Sequence, residues 1–416
     1  MKRISIIGAG LAGSEAALQL ADRGFSVRLV EMRPEKGTPV HKTGLCAELV
    51  CSNSLKSTKP ESAAGMLKAE LAALGSQVHA AALDNAVAAG GALAVDREAF
   101  ARQITQRIQE HPGISLEHAE VRSVQQACEG ADAVILASGP LTSDALAESL
   151  SQITGSDHMA FYDAAAPIVM VDSLDMGKLF RQSRYEDAGG QVGDYLNAPF
   201  SREEYEAFIE QLIGADRVIR REFETRDLFQ ACQPIEEIAR KGVDAPRFGT
   251  LKPVGLTDPA TGRRPWAALQ LHGESYNLVG FQTNLTFPEQ KRVFRMIPGL
   301  EQAEFARYGV MHRNTFINAP KLLTPELRLR STGGVDVPVF VAGQLAGTEG
   351  YCEAIRSGLH AALHVAALLG GVKAPQLSAE TAFGALLAYA TGPDTVDYQP
   401  MHVNFGIMEP LEQRIR

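Results

Sequence analysis

The first 31 residues of this 416-residue chain constrain its fold more than any other segment. A continuous apolar run at 4–7 predicts a strand buried on both faces, and residues 14–23 carry alanine and leucine at helical spacing. The turn Gly-Ala-Gly-Leu-Ala-Gly lies between them at 8–13, and a second apolar strand at 25–30 ends at Glu31. This order of strand, glycine turn, helix and strand is typical of a dinucleotide-binding βαβ unit.

Each glycine of this turn has a separate expected role. Gly8 permits the tight turn, Gly10 lets a pyrophosphate approach the backbone, and Gly13 lets the helix pack on the strand. Glu31 follows at the spacing at which a carboxylate accepts hydrogen bonds from ribose hydroxyls. The alternative is a glycine-rich turn that binds no ligand. The predicted cofactor-binding residues here are Gly8, Ala9, Gly10, Leu11, Ala12, Gly13 and Glu31.

A second glycine turn lies near the end of the chain. It follows an apolar strand at 338–342 and precedes a long apolar helix at 354–368. A second helix start far from the first motif favours FAD over NAD, because two-segment flavoprotein domains place a helix dipole near the flavin in this way. A helix start with ordinary packing glycines is the alternative. The candidate residues of this turn are Gly343, Gln344, Gly347, Gly350 and Tyr351.

The middle of the chain differs from its ends in composition and in the pattern of predicted elements. Helical patterns at 62–75 and 96–110 and a buried strand at 134–137 continue the first domain. From about 160 to 325 the sequence is rich in tyrosine, proline and short strand-like pieces. The predicted fold class is therefore α/β. A Rossmann-like FAD-binding domain is built from residues 1–160 and 330–416, and an α+β substrate or RNA-side domain is inserted at 161–329.

Composition limits the function classes. Lysine and arginine number 40 against 49 acidic residues, a net charge of −9, so the chain is no general nucleic-acid coat. Local basic clusters could still contact RNA phosphates, although such clusters are more often solvated surface. Five cysteines in a long chain indicate a reducing cytoplasm, and neither a signal peptide nor a membrane span is predicted. The first basic cluster comprises Arg217, Arg220, Arg221, Arg226, Arg240 and Lys241.

Two cysteines have polar or turn-forming neighbours that suit a reactive thiol. Cys51 lies among Ser52, Asn53 and Ser54, where a thiolate could be stabilised. Cys232 lies two residues before Pro234. On these residues alone, an inert buried cysteine remains the stronger interpretation for both. The spacing of cysteine and histidine predicts no metal site.

Long stretches of the chain resemble one enzyme family. They include IIGAGLAGSEAA at 6–17, AELVCSNSLK at 47–56, ACQPIEEIARKG at 231–242 and FGTLKPVGLTDPATG at 248–262. The sequence is similar in these stretches to the folate- and FAD-dependent tRNA uracil-5-methyltransferases (TrmFO), the small GidA-like flavoproteins. The resemblance covers residues 3 to about 410.

The resemblance implies a reaction and two site residues. The enzyme would make 5-methyluridine in the T loop of tRNA, from 5,10-methylenetetrahydrofolate, with electrons from NADH or NADPH passed through FAD. Some relatives methylate ribosomal RNA instead. Cys232 would be the nucleophile that attacks the base, and Cys51 would be a general base or a partner on the flavin side.

Two other interpretations stay open at this point. His272 and Thr286 occupy positions where the family usually has arginine and lysine, and the chain is acidic overall. Both features favour a flavin-dependent NAD(P)H oxidoreductase acting on a small molecule. A non-catalytic flavoprotein that serves as an interaction module is the third interpretation, and the presence of both cysteines argues against it.

Overall fold

The computed structural model describes residues 1–38, 40–155, 159–164, 166–184, 195–218, 233–272, 276–374, 376–395 and 398–409. Two compact units divide the chain. Unit 1 comprises Met1–Ala160 and Asn314–Arg416, and unit 2 comprises Phe161–Arg313. Unit 1 is thus assembled from both ends of the chain, with unit 2 inserted between them.

The amino-terminal part of unit 1 alternates strands and helices. Its elements are β1 (Arg3–Ile7), α1 (Leu11–Asp22), β2 (Ser26–Glu31), β3 (Ser54–Ser57), α2 (Ala63–Ala73), α3 (Gln77–Asp84), β4 (Ala86–Val87), β5 (Ala92–Val95), α4 (Arg97–Glu110), β6 (Ile114–His118), α5 (Val124–Cys128), β7 (Ala133–Leu136) and α6 (Asp144–Thr154).

Two strands stand where the chain passes between the units, and they pair as a two-stranded sheet: β8 (Met159–Ala164) and β15 (Met311–Phe316). The elements of unit 2 are β9 (Ile168–Val169), β10 (Phe180–Arg181), β11 (Leu196–Phe200), α7 (Arg202–Gly214), α8 (Ile235–Lys241), α9 (Ala245–Phe248), β12 (Ala267–His272), β13 (Tyr276–Leu278), α10 (Phe287–Phe294) and β14 (Phe305–Arg307). The rest of unit 1 contains α11 (Ala319–Leu322), β16 (Val339–Val341), α12 (Tyr351–Leu369) and α13 (Ala382–Thr391).

A parallel five-stranded sheet organises unit 1. Its order is β16-β7-β1-β2-β6, with Ile4 opposite Val27 on one side and Ala133 on the other. The chain runs from β1 to one side of the sheet and later returns to the other side, so the strand order reverses at β1. Ligands of such sheets bind outside the carboxyl ends of the strands at this reversal. The confirmed fold class is therefore α/β with a Rossmann-like sheet.

Unit 2 is built on a six-stranded sheet with the order β10-β11-β12-β13-β9-β14. The helices α7 and α10 contribute to its apolar core, in which the rings of Phe200, Phe208, Phe281 and Phe294 are in contact one after another. Ser201 and Glu204 form a capping box that fixes the start of α7. This mixed α+β unit has its own core.

Most predicted elements match observed ones, with shifts at their ends. The helices predicted at 62–75 and 96–110 are α2 and α4. The first helix begins at Leu11, not Ser14, because Gly10 serves as its N-cap inside the glycine turn. The long helix begins at Tyr351, three residues before the predicted start.

The units divide the chain at a different place from the one predicted. Residues 314–329, predicted to belong to the inserted domain, lie in unit 1. The reason is backbone pairing with that unit: the amide of Thr315 donates to Pro140, that of Ile317 to Leu345, and that of Leu329 to Val339.

None of the helices in the described part of the chain combines the length and apolar composition of a transmembrane segment.

Candidate functional site

The glycine turn follows β1 at the centre of the parallel sheet. Gly8 has φ +99°, and a Cβ there would lie 2.5 Å from the carbonyl oxygen of Ala137. A Cβ at Gly13 would overlap the Gly8 carbonyl oxygen, whereas one at Gly10 has no heavy atom within 4 Å. Two glycines are thus required by packing. Gly10 alone of the three faces open space.

The start of α1 is suited to an anion. Gly10 provides no side-chain cap, and the first turn of the helix holds no acidic residue. The first N–H groups of a helix have no partner within the helix, and the dipole places partial positive charge there. An uncapped start beside open space is therefore the geometry of a phosphate site.

Glu31 ends β2 and is only 5% exposed. One carboxylate oxygen accepts from the amide of Ala9 at 2.9 Å, and the other accepts from the amide and Nε of Arg33. Burial alone would raise the pKa of Glu31, but the hydrogen bond and charge of Arg33 outweigh it, so the pKa is lowered. Glu31 is therefore a carboxylate at neutral pH, and its oxygens keep lone pairs for further donors.

A pocket opens at the carboxyl ends of four of these strands. Its lining includes Gly8 after β1, Glu31 at the end of β2, Val121 beyond β6 and Ser138 beyond β7. The pocket lies where the strand order reverses, the position at which a doubly wound sheet binds its ligand.

The second glycine turn joins β16 to α12. Its first part is a short 3-10 helix at Gly343–Ala346, and both Gly347 and Gly350 have positive φ. Gln344 and Glu349 hydrogen-bond to each other within the turn. A Cβ at Gly343 would press on the Ala12 side chain at 3.2 Å. The second turn therefore packs directly on the first.

Tyr351 connects the second turn to the segment that carries Cys51. Its phenol oxygen accepts from the amides of Cys51 at 3.0 Å and Ser52 at 3.1 Å, and its hydroxyl donates to the Ser52 carbonyl. Burial raises the pKa of the phenol, and the nearby Cys51 raises it further. Tyr351 therefore stays neutral and can donate and accept at once.

The Cys51 segment is also bonded to the first turn. The amide of Ala47, a residue with φ +52°, donates to the Ala9 carbonyl at 2.8 Å. Arg33 extends the connection, because it pairs with Glu31 at 2.9 Å and with Glu48 at 3.1 Å. Residues 47–52 thus bridge both glycine turns, which are more than 300 residues apart.

The other described thiols are less suited to chemistry. Cys46, Cys128 and Cys352 are buried, whereas Cys51 is half-buried, and all four carry thiols, not disulfides. Burial raises the pKa of Cys46 to about 11 and that of Cys352 to about 12, and it also raises that of Cys128. These three thiols are therefore protonated at neutral pH.

Cys232 lies outside the described residues, as do Arg220, Arg221 and Arg226. The described members of that basic cluster have protein partners. Arg217 pairs with Glu237 at 2.7 Å, and Lys241 hydrogen-bonds to Gln233 at 2.8 Å. The role of this cluster as an RNA contact stays a prediction.

Two residues near the site, Lys56 and Glu353, were not predicted from the sequence. Lys56 has φ +66°, and its ammonium group pairs with the buried Glu353 in the first turn of α12. This ion pair connects the chain after Cys51 to α12, the helix that follows the second glycine turn. A lysine and a glutamate 297 residues apart leave no local pattern from which their pairing could be inferred.

Comparison with known proteins defines the chain further. Its fold and paired glycine turns define a Rossmann-like α/β protein assembled from two chain segments. A sequence model of the family described as "Glucose inhibited division protein A" matches residues 3–373. Two crystal forms of Aquifex aeolicus GidA match the fold with TM-scores of 0.71 and 0.68, at 16% and 15% identity. They cover 94% of this chain and 69% and 67% of the GidA chain.

The chain belongs to the TrmFO family. Its relatives carry the name "Methylenetetrahydrofolate--tRNA-(uracil-5-)-methyltransferase TrmFO". The Pelotomaculum thermopropionicum protein is 51% identical over 420 residues, covering 100% of this chain and 94% of the relative. The Pelobacter propionicus protein is 54% identical over 419 residues, with 99% and 90% covered. That of Geobacter sulfurreducens is 52% identical over 418 residues, with 99% and 94% covered.

Proposed function

We propose that this protein methylates carbon 5 of a uridine in the T loop of tRNA, with 5,10-methylenetetrahydrofolate as carbon donor, FAD as cofactor and NADH or NADPH as reductant. The names of its relatives support the folate, the tRNA and the uracil. The observation that carries the proposal is the Cys51 segment, which is bonded to Ala9 of one glycine turn and to Tyr351 of the other. A thiol is thereby held between two turns suited to one cofactor.

The residues present fit FAD. The open space at Gly10 and the uncapped start of α1 suit the pyrophosphate, and the Glu31 carboxylate suits ribose hydroxyls. The start of α12, which has no side-chain cap among the described residues, suits the flavin ring. FAD held by these residues would supply the reducing electrons, taken from the nicotinamide, for the one-carbon unit on the base.

Cys232 is assigned as the nucleophile. Carbon 5 of uracil is too weak a nucleophile to attack a one-carbon donor directly. When the Cys232 thiolate adds to carbon 6, the resulting enolate makes carbon 5 nucleophilic, and carbon 5 takes the methylene group from folate. The carbon 5 proton then leaves to a base, and the bond from the methylene carbon to the tetrahydrofolate nitrogen breaks, which leaves an exocyclic methylene on the base. Addition of a hydride, whose electrons come from NADH or NADPH, converts this methylene into the methyl group and expels the Cys232 thiolate from carbon 6.

Cys51 is assigned as the general base or as the partner on the flavin side. Its place between the two turns supports either role, because both require a thiol close to the cofactor. The target uridine must leave its stack to reach these groups, as bases do in enzymes that act on them.

Trapping tests the nucleophile. An RNA with 5-fluorouridine at the target position should form a covalent complex with the wild type, since fluorine does not leave carbon 5 as a proton does. Cys232→Ala should form none, because alanine supplies no thiolate. Cys128→Ala is the matched control, since it removes a buried thiol elsewhere and should trap normally.

The possible results separate the candidate functions. Trapping by Cys232→Ala equal to the wild type would contradict the assignment of the nucleophile. Normal flavin reduction by NADPH with no trapping and no methylated RNA would favour the small-molecule oxidoreductase instead.

A further inference from the structure

Three aromatic rings in unit 2 form a continuous stack. The Phe287 and Tyr308 rings lie 4.8 Å apart at 16°, and the Tyr308 and Phe305 rings lie 5.0 Å apart at 15°. These are the distances of offset stacking, and the three rings are nearly parallel. Tyr308 is the middle ring, so the stack has two ends.

One end is covered and the other is open. Phe305 lies in β14 and packs against the apolar core of unit 2. Phe287, at the first position of α10, is 48% exposed. A phenyl ring held in a fixed orientation on the surface presents a flat apolar face to solvent.

The open ring lies close in sequence to residues that bond to the described chain on both sides of the segment with Cys232. Before residues 219–232, the last described residue is Val218, whose amide donates to the Asn284 carbonyl at 2.8 Å. The chain is described again from Gln233, and the Ile235 amide donates to Gln282 at 2.8 Å. The described residues on both sides of that segment therefore bond to residues 282–284, three to five positions before Phe287.

The surroundings of the ring include a cation one helical turn away. Lys291 follows Phe287 by one turn of α10, so the two exposed side chains share a face. Glu289 is paired with Arg292 at 2.7 Å, which balances their charges. Asp216, whose carbonyl accepts from the Thr286 amide, is another acidic residue beside the start of this helix.

We propose that the outer face of Phe287 is a stacking platform for an unpaired base of the RNA substrate, with Lys291 contacting a neighbouring phosphate. The inference rests on the proposed function, because it names where that RNA is held. Every base has a π face, so a phenyl platform binds without reading sequence, and a cation beside it supplies the backbone contact. A base held here would lie near the residues that bond to Val218 and Ile235, which flank the Cys232 segment.

The test uses the full-length protein and a synthetic T-arm hairpin of tRNA. 2-Aminopurine replaces one unpaired loop base at a time, and its fluorescence falls when it stacks on a ring. Phe287→Leu keeps an apolar side chain but removes the flat face, whereas Phe287→Trp restores a ring. Phe405→Leu changes an exposed phenylalanine of unit 1 and serves as the matched control.

The platform predicts a specific pattern. In the wild type, one loop position is quenched on binding. Phe287→Leu loses that quenching and binds the hairpin roughly 5- to 100-fold more weakly, with an unchanged salt slope. Phe287→Trp recovers both. Lys291→Ala keeps the quenching but lowers the slope of log affinity against log salt by about 0.7.

Other outcomes overturn the inference. If Phe287→Leu binds and quenches like the wild type while the wild type methylates the hairpin, Phe287 is only a packing residue and the proposed function stands. If the wild type binds no RNA, the platform and the proposed function fall together. An equal loss in Phe405→Leu would show a general effect of exposed aromatic residues and would also remove the platform.

Discussion

Glu236 is completely buried in the first turn of α8, four residues after the proposed nucleophile. Its carboxyl oxygens accept from the Asn284 amide at 2.6 Å and the Thr283 hydroxyl at 3.0 Å. Burial raises the pKa of Glu236 to about 7, although these hydrogen bonds oppose the shift. A group that titrates near neutral pH therefore fastens the segment after Cys232 to residues 283–284.

The stability of the protein should depend on this carboxyl group. A raised pKa means that the folded state binds the proton more tightly than the unfolded state, so this group's contribution falls as pH rises from about 4.5 to 7. Glu236→Gln cannot ionise. The free energy of unfolding of the wild type minus that of Glu236→Gln should be lower at pH 8 than at pH 5, by about 2.5 kcal/mol.

Urea unfolding at the two pH values measures this difference. Glu98→Gln, which changes an exposed glutamate on α4, is the control and should show little change. A difference between the wild type and Glu236→Gln that is the same at both pH values would mean that Glu236 does not titrate in this range.

At the scale of elements, substitutions at two glycines of the first turn should have different effects, one on cofactor binding and the other on stability. Gly10 has φ −70°, and a Cβ added there would have no heavy atom within 4 Å, so Gly10→Ala should unfold at about the same temperature as the wild type when both are free of FAD. The new methyl group would occupy the proposed pyrophosphate site and should cause loss of FAD. Gly13→Ala should be destabilised by several kcal/mol, because its Cβ overlaps the Gly8 carbonyl.

Thermal unfolding and the flavin absorbance of the purified variants distinguish the two effects. Full FAD retention by Gly10→Ala would place the cofactor elsewhere. Normal stability of Gly13→Ala would mean that α1 and β1 can move apart at little cost.

Tyr351 holds the Cys51 segment in place through hydrogen bonds to its backbone. Tyr351→Phe removes the oxygen that binds the Cys51 and Ser52 amides, and each lost hydrogen bond costs about 1 kcal/mol. The segment should open more often. Amide exchange at residues 50–53 and alkylation of Cys51, followed by mass spectrometry, should both become faster.

Tyr389→Phe is the matched control, since it removes a phenol that donates to Gln399 in the same unit. It should leave the Cys51 segment unchanged. If Tyr351→Phe shows the exchange and alkylation rates of the wild type, the hydrogen bonds of Tyr351 do not hold the segment.

The sequence predicted those elements whose signals are local. The apolar run of β1, the glycine turn and the helical spacing of α2 and α4 each lie within one short stretch. The contacts of Tyr351 with Cys51 and of Lys56 with Glu353 join residues about 300 positions apart. Such contacts depend on how β16 and α12 return to the sheet, so they leave no local pattern.

For the whole molecule, the predicted assembly of one Rossmann-like domain from both chain ends follows from two glycine turns with a long interval between them. The sequence did not predict the residue at which the inserted unit ends. Residues 314–329 belong to unit 1 through backbone hydrogen bonds to residues far away in sequence. The burial of Glu236 was not predictable from the sequence either, because a glutamate at a polar helix start is ordinarily exposed.

The central claim is that this chain transfers the folate methylene group to carbon 5 of a tRNA uridine. The direct measurement supplies the purified protein with FAD, NADPH, unmodified tRNA and methylenetetrahydrofolate that is deuterated in the methylene group. Mass spectrometry of the digested nucleosides should find 5-methyluridine from the T loop carrying both deuterium atoms. Absence of 5-methyluridine, or a methyl group without deuterium, would contradict the account.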